Sequence, residues 1–129
     1  MLTDVLKKLH YQDSLKGVVL NAPETIAKEL VALGLVTTFS APSRFTILFV
    51  KNRDDLEASI KTTLQHIEDD SLLWIAYPKG SSSIKTDINR DKLWVLVKPY
   101  GYRPVAQVAI DNDWSTLRFR PEDKVKTKK

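Results

Sequence analysis

The stretch Leu72-Leu73-Trp74-Ile75-Ala76-Tyr77-Pro78-Lys79-Gly80-Ser81-Ser82-Ser83-Ile84-Lys85-Thr86 runs from an apolar segment into a glycine, three hydroxyls and a Lys-Thr pair. Ammonium groups, hydroxyls and the free N–H groups at a helix start are what a phosphate needs. A nucleotide-hydrolysing loop requires G-x-x-x-x-G-K-[ST], in which the second glycine lets backbone N–H groups turn inward. Here the interval from Gly80 to Lys85 is one residue short, and Ile84 stands where that second glycine belongs. A β-branched side chain resists the positive φ the cradle demands. Two readings survive. The segment is an ordinary exposed strand-to-helix loop, or Lys79, Lys85 and the hydroxyls of Ser81, Ser82 and Ser83 bind an anion at the helix N-terminus. The second draws on position, because open α/β sheets take ligands beyond the carboxyl ends of their strands.

A second polar patch is Asp111-Asn112-Asp113-Trp114-Ser115-Thr116-Leu117-Arg118. Asp and Asn serve a hairpin turn, and Trp114 can pack on the sheet. Alternatively Trp114 offers a flat face for stacking while Arg118 grips an anion, with Asp111 and Ser115 beside them. Ser115 as a nucleophile would need a base. His10 and His66 fall on different helices, too scattered for a triad or a metal cluster, and there is no cysteine. The first strand-to-helix turn, Asn21-Ala22-Pro23-Glu24-Thr25, holds no glycine. A dinucleotide or adenosylmethionine pocket uses glycine there for close backbone approach, which weighs against dehydrogenase or methyltransferase chemistry.

These residues need elements to position them. Leu2, Val5, Leu6 and Leu9 recur at helical spacing, with Thr3 as a cap. Gly17 to Asn21 reads as a short buried strand. Pro23 suits the first turn of a helix lined by Ile26, Ala27, Leu30 and Val31, and Gly34 ends it. Val36 to Phe39 is a weak strand. Phe45 to Val50 is almost continuously apolar, as a strand covered on both faces should be. Asn52 caps a helix carrying Leu56, Ile60, Leu64 and Ile67, with Asp69-Asp70 as a turn before the strand Leu72 to Tyr77. Thr86 or Asp87 caps a helix through Val97. Pro104 to Ile110 and Trp114 to Phe119 form a closing antiparallel hairpin.

Strands alternating with helices predict a three-layer, mostly parallel Rossmann-like α/β sheet. Its terminal hairpin makes it look like a shortened methyltransferase sheet. The 129 residues fit one domain over 1–120. Residues 121–129 carry four Lys against two acids, half of the formal charge of +4; they read as a disordered Lys-rich tail. The remaining basic residues are scattered among acids, so nucleic acid is not an expected partner. The N-terminal segment lacks the apolar run of a signal peptide, and no stretch approaches a membrane span. A cytoplasmic location is expected, with no cofactor and no metal. The oligomeric state is open.

Four motifs in order carry a family resemblance: Asn21-Ala22-Pro23-Glu24, then Phe49-Val50, then Leu72 to Lys79 followed by Asp87, then Asp111 to Phe119. Together they resemble the bacterial domain-of-unknown-function family 3052, over roughly Lys16 to Phe119. That resemblance implies a small bacterial α/β domain and lends no activity or catalytic residue. The expected function is an uncharacterised domain that binds a small anionic ligand or a protein partner at the carboxyl edge of its sheet. The site would be Lys79, Ser81 to Ser83 and Lys85, facing Asp111, Trp114, Ser115 and Arg118. The alternatives are a degenerate methyltransferase-like transferase, and a structural module that pairs through the Val36 to Phe39 edge.

Overall fold

The computed structural model describes residues 2–39 and 42–125. The elements are α1 (Leu2–Lys8), β1 (Val18–Leu20), α2 (Glu24–Ala32), β2 (Ser43–Phe49), α3 (Arg53–Gln65), β3 (Ile67–Pro78), α4 (Arg90–Val97), β4 (Tyr102–Ala109), β5 (Trp114–Pro121) and α5 (Glu122–Val125). One sheet holds the strands in the order β1-β2-β3-β5-β4. β1, β2 and β3 are parallel, and β5 runs antiparallel to both β3 and β4. The expected α/β sheet with a closing hairpin is present.

Helices cover both faces, which is why the central strands are apolar on successive residues. On one face α1 and α2 bury Leu2, Leu6, Ile26 and Leu30 against Ile47, Phe49, Trp74 and Trp114. On the other, α3 and α4 bury Leu56, Ile60, Leu93 and Val97 against Leu48, Leu73, Ile75 and Phe119. The indole of Trp74 is fully buried and donates to the Leu9 carbonyl at 3.1 Å, fastening the C-terminal end of α1 to the sheet. Gly17 lies where α1 returns to β1. A Cβ there would stand 2.8 Å from both Phe45 Cδ1 and Tyr11 Cε1.

Several boundaries differ from those expected. Val36 to Phe39 is not a strand: Val36 makes a single parallel bridge to Val18, with its N–H on the Gly17 carbonyl. That one bridge lies on the outer edge of β1, whereas β2 lies on the inner edge, so the connection reverses direction between β1 and β2. Thr3 lies inside α1 and does not cap it. Asp69-Asp70 is not a turn but part of β3, where Asp70 takes φ 54° at a register irregularity against β2. The N-cap of α4 is Asn89, whose side chain accepts from Lys92 N at 2.9 Å, not Thr86 or Asp87. Thr86 instead closes a local turn by accepting from Ile88 N.

Residues 121–125, expected to belong to a tail, are part of the fold. Pro121 completes β5, and α5 folds back so that Glu122 N donates to the Gly101 carbonyl. Residues 126–129 lie outside the described residues. No helix among the described residues is long and apolar enough to cross a membrane.

Candidate ligand-binding cleft

The register between β3 and β5 decides which loops meet. Pro78 pairs with Trp114 and Tyr77 with Ser115. The loop leaving β3 therefore lies against the β4–β5 turn at the carboxyl rim of the sheet. Lys79 N donates to the Asp113 carbonyl at 2.8 Å, and Ser82 Oγ donates to Asp113 Oδ1 at 2.8 Å. The two polar patches singled out in the sequence are neighbours.

Their side chains, however, are mostly committed to holding turns. Ser82 Oγ also accepts from Ile84 N at 3.1 Å. Asp111 Oδ1 accepts from the backbone N–H groups of Asp113 and Trp114, both at 2.8 Å. This is turn chemistry of the Asx type. Trp114 is buried and meets Phe49 edge-on at 5.1 Å, so it has no free face for a ligand. Ser81, Ser83 and Lys85 are exposed on the loop. Gly80 uses neither freedom of a glycine, since a Cβ there meets nothing within 4 Å and its φ is not positive. Arg118 does not join them. It pairs with Trp74, four residues along the strand from Trp114 and so about 13 Å from the rim.

What the rim does form is a cleft of about 680 Å³ lined by Tyr77, Lys79, Asn89, Arg90, Gln107 and Ser115, with Gly80, Asp91 and Ala109. Three of its walls come from different elements. Tyr77 lies at the end of β3 with Lys79 just beyond it, Asn89 caps α4 with Arg90 and Asp91 in its first turn, and Gln107 and Ser115 project from the hairpin on the face that α4 covers. Gln107 Nε2 donates to Tyr77 Oη at 3.1 Å and to Ser115 Oγ at 3.3 Å. Ser115 Oγ reaches the Val108 carbonyl at 3.5 Å. Tyr77 and Ser115 are each 4% exposed, so the floor is fixed by packing. Lys79 supplies a cation, while Arg90 lies 3.6 Å from Asp91 and is partly neutralised. The helix dipole of α4 adds positive character at the same rim.

Of the residues expected from sequence, Lys79 and Ser115 line this cleft. Lys85, Ser82 and Ser83 line a smaller neighbouring hollow beside the first turn of α4. Tyr77, Asn89, Arg90 and Gln107 were missed. A polar tip on Tyr77 at the end of an apolar strand, and the Asn89…Lys92 spacing of a cap, are the signals that could have found two of them.

Nothing in the cleft forms a nucleophile–base pair. His66 Nδ1 is 2.8 Å from the Thr62 carbonyl and its ring stacks on Phe39, away from the rim. Among the described residues no three His, Cys, Asp or Glu side chains gather as metal ligands. At the reversal between β1 and β2, Asn21 takes φ 62° in place of a glycine, and its Nδ2 donates to Ser59 Oγ of α3 at 3.1 Å.

No protein-family model and no curated protein matches the sequence. Solved structures do. The chain is similar to a Sulfolobus solfataricus protein assigned to the type 11 methyltransferases, with a TM-score of 0.55, 11% identity, and 83% of this chain and 85% of that one covered. It is also similar to a chain of a fibrillarin/Nop5p complex, with a TM-score of 0.53, 8% identity, and 86% and 74% covered. The fold is methyltransferase-like. Identities this low show the fold alone.

Proposed function

We propose that this protein is a ligand-binding α/β domain whose carboxyl-rim cleft takes a small polar molecule bearing an anionic group. One observation carries this reading: Lys79, the first turn of α4 and the Tyr77–Gln107–Ser115 network face a single concavity. Lys79 and the α4 terminus hold the anion. Gln107, whose amide both donates and accepts, reads a hydroxyl or amide on the ligand. The motif order resembling family 3052 belongs to the same proposal, since two of those motifs end at this rim.

The test is thermal unfolding with phosphate or sulfate against chloride at matched ionic strength. Both oxyanions raise the melting temperature of the native protein, and Lys79→Ala reduces that rise. An identical response in the two proteins removes the cleft as the site.

A second reading, a degenerate methyltransferase-like transferase, is supported by the fold and by the left-handed Asn21 at the end of β1. Its weakness is local. The Asn21 side chain is tied to Ser59, and Pro23-Glu24 opens α2 with no side-chain cap and an acid in its first turn. Titration calorimetry with adenosylmethionine separates the two: saturable heat favours the transferase, and its absence leaves the binding domain.

A further inference from the structure

At the end of the sheet opposite the cleft, three guanidinium groups share a face with one carboxylate. Arg103 of β4 lies directly opposite Arg120 of β5, and Arg118 lies opposite Ala106. Opposed residues of an antiparallel pair carry their side chains on one face, and residues two apart on a strand share it. Asp70 accepts a two-point fork from Arg120, from Nε at 2.8 Å and Nη2 at 2.7 Å. Arg103 and Arg118 make no ion pair among the described residues. Asp70 also attracts Arg118, but one carboxylate against three guanidiniums leaves a net excess of two positive charges among these four groups.

The Arg118 Nε is buried and has no hydrogen-bond partner among the described residues. Native proteins pair such donors, and one left alone asks what is missing. Burial, and next the charge of Arg120, lower the affinity of Arg118 for its proton. Both penalties are relieved by an anion placed between the guanidiniums. Ala106, beside Arg118 on the same face, is exposed, so the β4 side of this cluster borders solvent.

We propose that Arg103, Arg118 and Arg120 form a second ligand site, separate from the cleft, that binds a phosphate dianion, either free or as a phosphomonoester. Its two charges match that net excess. Its oxygens accept the orphaned Nε–H in the charge-assisted geometry that arginine favours. A nucleic-acid backbone fits less well, because Asp69, Glu122 and Asp123 stand close by in the chain and would repel an extended polyanion.

The experiment follows the Nε–Hε signal of Arg118 by NMR in nitrogen-labelled full-length protein. Inorganic phosphate, glycerol phosphate and a thymidine oligonucleotide are titrated at constant ionic strength. Phosphate or glycerol phosphate, or both, move the signal saturably, and they do so equally in Lys79→Ala, which separates this site from the cleft. Arg118→Gln and Arg103→Gln, each followed through the neighbouring Arg120 signal, weaken binding roughly tenfold to a hundredfold. Saturation by glycerol phosphate alone identifies a phosphomonoester, and by inorganic phosphate alone the free ion. An Arg118 signal that stays still or drifts without saturating overturns the proposal. So does unchanged affinity in both variants, or saturation by the oligonucleotide alone.

Discussion

Ser82 commits its hydroxyl twice within the fold, donating to Asp113 and accepting from Ile84. Asp111 does the same with two backbone N–H groups. These side chains stabilise turns, and their loss reads as stability. Gly80→Ala should leave the melting temperature unchanged in thermal scans, because its Cβ meets no atom within 4 Å. At the other end of the sheet, the Arg120 fork holds the Asp70 carboxyl below its ordinary range, with Arg118 and Lys124 adding to the pull. A depressed folded-state pKa gives stability that is complete above the ordinary aspartate range and is lost as pH falls through the lowered value. Asp70→Asn should therefore lower the melting temperature at neutral pH. The gap to the native protein should close in strong acid, as thermal scans across pH would show.

At the scale of elements, helix starts and strand registers place the cleft. The Asn89 cap sets where α4 begins, and so which residues face Tyr77 and Gln107. Asn89→Ala should cost about 1 kcal/mol in denaturant unfolding and fray the first turn. Amide exchange of Lys92, whose N–H the Asn89 side chain accepts, would report this directly. The approach of α1 to β1 allows even less change. Gly17→Ala would force a methyl against Phe45 and Tyr11, and Phe45 is fully buried. A loss of about 1–3 kcal/mol is expected from such overpacking, measured as a lower denaturant midpoint with an unchanged slope. These boundaries were hard to read in the sequence for a physical reason. Thr86, Asp87 and Asn89 are all competent caps, and the choice among them was made by where Ile88 and Leu93 could be buried. Val36 to Phe39 likewise has strand-like residues, yet only Val36 finds a partner on β1.

At the scale of the whole molecule, the two rims of the sheet carry different chemistry. The carboxyl rim holds a cleft with a hydrogen-bonded floor, and the amino end holds excess arginine. Trp114 sits between these uses as core, packed on Phe49. Trp114→Ala should cost about 3–5 kcal/mol, as for a large buried aromatic, and would loosen the rim with it. Unfolding curves would check this; a near-neutral result would mean that the indole is not the keystone its burial implies.

By itself the sequence determined the class of this protein. Apolar runs such as Phe45 to Val50 and helical spacings such as Leu56, Ile60 and Leu64 are local patterns, written in residues that are near neighbours along the chain. The turn chemistry of Asp111 to Asp113 announced the hairpin in the same way. Only the tertiary structure decided the sites. Tyr77, Asn89, Gln107 and Ser115 meet because β5 inserts between β3 and β4 in one register, and that same register sets Arg103 opposite Arg120. Cross-strand neighbours are set by packing over long separations in sequence, where no local pattern records them.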